Sequence, residues 1–118
     1  MRVAIPQLGG RVSPRGLLAD TWMIAELDGA TIVDRETRTV PLRDDTELLS
    51  ALPRLGARLL VCGGLQREIA AQLGARGVRV IDNVIGPIGE VLEALRLGKL
   101  RSMHGFGSRR PTAVVGRG

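Results

Sequence analysis

Apolar positions along this chain recur with two periods, and the change from one to the other marks out its elements. Short apolar runs bounded by glycine or proline at Arg2-Val3-Ala4-Ile5-Pro6, Ala57-Arg58-Leu59-Leu60-Val61 and Gly77-Val78-Arg79-Val80-Ile81 predict buried strands. Thr21 to Leu27 and Thr31 to Val33, joined by Asp28-Gly29-Ala30, predict a hairpin, because Asp-Gly between β-prone runs favours a tight turn. The second hairpin strand is expected to continue through Thr37-Arg38-Thr39-Val40, its alternating charges facing water at an edge, and to end at Pro41. Helical spacing takes over at Leu48, Leu49, Leu52 and Leu55, where Asp44 or Asp45 supplies a cap and Pro53 limits the length. It returns at Leu65, Ile69 and Leu73, stopped by Gly74 or Gly77, and at Ile88, Val91, Leu92 and Leu95, with Pro87 in the first turn and Gly98 at the stop.

The predicted order is strand, hairpin of two strands, then three helices alternating with two strands. Parallel first, fourth and fifth strands and a reversed second strand give one mixed five-stranded sheet of order 3-2-1-4-5, flanked by helices, in the α/β class. Gln7 to Asp20 is then a loop over the C-terminal end of the first strand. Cys62-Gly63-Gly64 follows the fourth strand and Asp82 to Pro87 the fifth, so three loops converge on the rim where open α/β sheets bind ligands.

Composition narrows what that rim can do. At 118 residues the chain is expected to form one domain, burying about two thirds of its unfolded surface. No run approaches the roughly 20 apolar residues of a membrane span, and no signal-peptide pattern opens the chain, so a cytoplasmic protein is expected. One cysteine excludes an intrachain disulfide, and one histidine beside it excludes an ordinary four-ligand zinc site of Cys and His within a single copy. Trp22 and Phe106 are the only aromatic residues, which disfavours a stacking platform for nucleic acid. The net charge of +5 is concentrated at one end, since Arg96, Lys99, Arg101, Arg109, Arg110 and Arg117 follow the last acid. Residues 1–102 are therefore read as the domain and 103–118 as a basic, Gly/Arg-rich flexible tail.

Several strings, in order and spacing, resemble the dinitrogenase iron-molybdenum cofactor biosynthesis family, the small cofactor carriers and accessory domains of nitrogenase assembly. They are Arg2-Val3-Ala4-Ile5-Pro6, Ser13-Pro14, Asp28-Gly29, Val61-Cys62-Gly63-Gly64, Gly77-Val78-Arg79-Val80, and Gly86-Pro87-Ile88-Gly89-Glu90-Val91-Leu92 through Gly98-Lys99-Leu100. The resemblance covers about the first 100 residues. It implies a ribonuclease H-like three-layer fold and binding of an iron-sulfur or iron-molybdenum cluster, with a cluster-donor or cluster-acceptor protein as partner. Two family strings are altered here. Arg15-Gly16-Leu17-Leu18-Ala19 stands where many members have His-Phe-Gly, and Met103-His104-Gly105-Phe106 where some have a Met-Pro-Gly-Cys-like end.

The candidate metal ligands are accordingly Cys62, Met103 and His104, as thiolate, thioether and imidazole. Each has an ordinary alternative, Cys62 as a small core residue and His104 as a solvated tail residue. Gly63, Gly64 and Gly86 either permit turns or let backbone N–H groups approach an anionic cluster, with Arg11 and Arg15 adding charge from the first loop. Helix N-termini and these arginines are expected to lower the Cys62 pKa. A nuclease would need carboxylates on the first strand, where Ala4 and Ile5 stand, and nothing else in the chain forms a catalytic constellation, so no enzyme is expected. The rival class is a regulatory or protein-interaction domain that has lost the cluster. Sharing of a cluster across a homodimer is the third arrangement the residues leave open.

Overall fold

The computed structural model describes residues 1–100 together with the strand Ala113–Val114. Eight strands and three α-helices are described: β1 (Arg2–Leu8), β2 (Arg11–Val12), β3 (Thr21–Asp28), β4 (Thr31–Arg38), α1 (Leu48–Arg54), β5 (Leu59–Val61), α2 (Arg67–Ala75), β6 (Arg79–Ile81), β7 (Val84–Ile85), α3 (Ile88–Arg96) and β8 (Ala113–Val114). The main sheet runs β4-β3-β1-β5-β6, with β2 branching from β1. Contacts of β1 with β3 and of β3 with β4 are antiparallel, and those of β5 with β1 and β6 are parallel. The class is therefore mixed α/β with flanking helices.

Two details depart from the sequence expectation. The sheet has six strands, not five, because Gly9 and Gly10, at φ +60 and +78, fold Arg11–Val12 back onto Gln7 and Leu8. In chain-order numbering its path is thus 4-3-1-5-6 with strand 2 at the side. Two-residue strands are too short to show periodicity, and the glycines read as loop punctuation. The hairpin strand β4 also stops at Arg38, two residues short of Val40.

Alternation along the strands sorts the core into two layers. Val3 and Ile5, Leu59 and Val61, and Ile81 face α3, where they pack with Ile88, Val91 and Leu92. Ala4, Leu60, Cys62, Trp22 and Ile24 face the other way, onto Leu48 and Leu52 of α1 and Ile69 and Leu73 of α2. Period 2 thus places Cys62 on the α1–α2 side, two residues after fully buried Leu60 on the same face.

Asp44 caps a short 3-10 turn, Asp45–Glu47, that leads into α1, its side chain accepting from the Thr46 N–H at 2.9 Å. Pro53 lies within the last turn of α1, where the chain is already about to leave the helix. No helix among the described residues is long and apolar enough to cross a membrane. Of the tail expected at 103–118, only Ala113–Val114 is described, paired in parallel with Val84–Ile85. Met103 and His104 lie outside the described residues.

Candidate functional site

Strand β1 parts from β5 at the rim. Its register with β5 covers only Val3 and Ala4, and beyond them Pro6, which has no N–H to give, offers its carbonyl to Ser13 N at 2.8 Å. The first loop fills the gap. Ser13 is fully buried there, its Oγ donating to the Arg15 carbonyl at 2.6 Å. Asp20 N donates to Gln7 O at 2.9 Å and Gly9 N to Asp20 Oδ2 at 3.2 Å, so the far end of the loop returns to its start.

Main-chain bonds then join all three loops. Gly64 N donates to Pro14 O at 2.8 Å, linking the loop after β5 to the first loop. Asn83 N to Gly63 O at 2.8 Å and Val84 N to Cys62 O at 3.0 Å link it to the loop after β6. Val12 N to Gly86 O at 3.0 Å and Ile88 N to Gly10 O at 2.9 Å close the ring. Glycine is required at two of these joints. A Cβ on Gly63 would lie 2.6 Å from Ser13 O and 2.7 Å from Pro14 O, and Gly86 sits at φ +136, which residues with an L side chain rarely adopt.

The rim thus brings together Cys62, Gly63, Gly64, Gly86, Arg11 and Arg15, in different roles. The N–H of Gly64 is already committed to Pro14 and does not point at a ligand. Arg11 and Arg15 are exposed, their main chains forming isolated β-bridges to Pro87 and Gly64, and neither guanidinium is tied to a carboxylate among the described residues. Cys62 is only 3 % exposed. Its thiol pKa is pushed up, first by burial and then by the negative charges of Asp82 and Asp45. The expected lowering is therefore corrected: at neutral pH Cys62 is a protonated thiol within the core cluster of Trp22, Ile69 and Leu73. Among the described residues, no group of three or more His, Cys, Asp or Glu side chains is arranged to hold a metal ion.

Three rim residues stand outside the candidate ligands expected from the sequence. Ser13 and Asp82 are buried polar groups, 0 % and 8 % exposed, and Asp45 turns an oxygen inward beside Gly16. Asp82 at the end of an apolar strand was the available signal, and Asp45 was legible only as a cap.

No family model and no curated protein sequence matches the chain. Solved structures do. The crystal structure of PH0822 is 24% identical, covers 92% of this chain and 100% of its own, and superposes with a TM-score of 0.80. An NMR structure of a "putative NifB protein" from Thermotoga is 24% identical over 92% of this chain and 97% of its own, TM-score 0.63. The apo form of the orange protein from Desulfovibrio gigas is 21% identical over 94% and 95%, TM-score 0.68. The chain shares their fold. The match spans nearly the full length of each of the three.

Proposed function

We propose that this protein is a small non-catalytic accessory domain that takes up and hands over a metal-sulfur cluster of iron-sulfur or iron-molybdenum type, as a member of the dinitrogenase iron-molybdenum cofactor biosynthesis family with a ribonuclease H-like fold. The cluster is its cargo, and the other partner is a cluster-donor or cluster-acceptor protein. One observation carries the reading: three loops converge at the C-terminal strand ends, bearing two exposed arginines, on a fold shared with a protein named for NifB and with one solved in an apo form. Arg11 and Arg15 offer charge-assisted hydrogen bonds to an anionic cluster. Because Cys62 is buried and protonated, its direct ligation would require the loop after β5 to open.

The burial of Cys62 also favours a second reading, an interaction domain of the same fold without a cluster. Anaerobic reconstitution with iron and sulfide separates the two. A carrier develops sulfur-to-iron charge-transfer bands with matching iron content, and loses them in Arg11→Glu with Arg15→Glu. Absence of bands in the wild type, with folding intact by circular dichroism, leaves the interaction domain. If bands persist unchanged in the double charge reversal, the rim is not where the cluster sits.

A further inference from the structure

The edge strand β4 carries a charge pattern that matches itself. Among the described residues β4 ends the sheet, and from Thr31 to Arg38 every residue but Ile32 is exposed. Edge strands are commonly protected by bulges, proline or charged side chains, lysine above all. Here the register irregularity lies at Glu26/Leu27, opposite the first residues of β4, while Asp34 to Arg38 pair regularly with β3 and contain neither proline nor lysine. Charge alone guards this half of the strand, and its signs alternate from Asp34 through Arg35 and Glu36 to Arg38.

Suppose a second copy adds antiparallel to this half about a two-fold axis. Residues placed opposite one another must share a face of the sheet, so the axis passes through a residue pair and only a few registers remain. Centring on Arg35 sets Arg35 against Arg35 and Asp34 against Glu36. Centring on Glu36 sets Glu36 against itself. Centring on Thr37 sets Thr37 against Thr37 and each Glu36 against the other copy's Arg38, with no like charges opposed. Glu36 and Arg38 lie on one face, opposite Ile24 and Trp22 respectively, and already form an ion pair within one chain. In the paired state four side chains would alternate in sign across the junction, flanking a Thr–Thr pair of the kind that favours strand association.

We propose that β4 is a self-association edge, joining two copies of this chain into one continuous sheet centred on Thr37. The pairing then spans Glu36 to Arg38, since β4 ends there and Val40 beyond it packs against the core layer of Trp22 and Leu52. A junction of one strand from each copy is smaller than the roughly 1,200 Å² of stable interfaces, so the dimer is weak and concentration-dependent.

Charge exchange tests the register directly. Sedimentation equilibrium of the full chain across a concentration series should show a monomer–dimer equilibrium for the wild type. Glu36→Arg and Arg38→Glu should each weaken it by roughly thirtyfold, since each turns two cross-strand attractions into repulsions. An equimolar mixture of the two single variants should recover association, because every Arg then faces a Glu, and the double variant should recover it alone. Circular dichroism of each variant fixes that the fold is kept. A wild type that stays monomeric at the highest concentration overturns the proposal. So do single variants that associate like the wild type, and so does a mixture of folded variants that fails to associate.

Discussion

Replacing Gly63 by alanine adds one methyl group at the tightest joint of the rim. That carbon would stand 2.6 Å from Ser13 O, 2.7 Å from Pro14 O and 2.9 Å from Pro14 C, all main-chain atoms that cannot rotate away. Overpacking of a closed site costs about 1–3 kcal/mol. Displacing the first loop also lengthens the 2.8 Å bond from Gly64 N to Pro14 O, and losing one such bond costs about 0.5–1.5 kcal/mol. The expected destabilisation is about 2–4 kcal/mol, a fall in melting midpoint on the order of 10 °C for a domain of this size. Gly64→Ala is the control, because its Cβ meets only Pro14 O, at 3.4 Å. Urea and thermal unfolding followed by circular dichroism read both variants. If Gly63→Ala unfolds within about 0.5 kcal/mol of the wild type, below the overpacking cost, the close approach of the two loops is not what that glycine serves.

Three further outcomes are expected. Gly74→Ala and Gly89→Ala lie inside α2 and α3 with nothing within 4 Å of the added carbon, so each should raise stability by about 0.5–1 kcal/mol, readable in the same melts. Cys62 should resist iodoacetamide in the native state and react on unfolding. Because its pKa is raised by folding, its contribution is complete below the unfolded value of about 8.5 and is lost as pH rises beyond it, so Cys62→Ala should flatten the alkaline fall in stability. Asp44 is held below the usual carboxylate range, chiefly by the Thr46 hydroxyl, so its contribution is present above the ordinary carboxylate pKa and disappears as pH falls through the lowered one. Asp44→Asn keeps the cap but cannot titrate, and should flatten the acid limb with little change at neutral pH.

The sequence was most informative where burial imposes a period. Leu59-Leu60-Val61 and Val3-Ala4-Ile5 must be strands covered on both faces, and Ile88, Val91 and Leu92 must share a helix face, because no other arrangement removes them from water. The meeting of three loops followed from the same reasoning, since parallel strands place their C-terminal ends together. What could not be read was set by distances between loops. That Gly64 spends its N–H on Pro14, and that Asp82 and Asp45 stand close enough to Cys62 to hold its proton, depend on how segments remote in sequence are brought together. A cysteine after a buried strand is equally consistent with a reactive thiol and a core residue until the neighbouring carboxylates are placed.

The ring of bonds that joins the loops is made by peptide groups, and this separates the shape of the rim from its chemistry. Gly64 to Pro14, Asn83 to Gly63 and Val12 to Gly86 engage through atoms that every residue carries. Exposed side chains on the same loops, among them Arg11, Arg15, Leu17 and Leu18, can change without loosening a single joint. Histidine, cysteine or a carboxylate could be grafted at these positions on an unchanged backbone. The shape of the rim is thereby fixed independently of the side chains it displays.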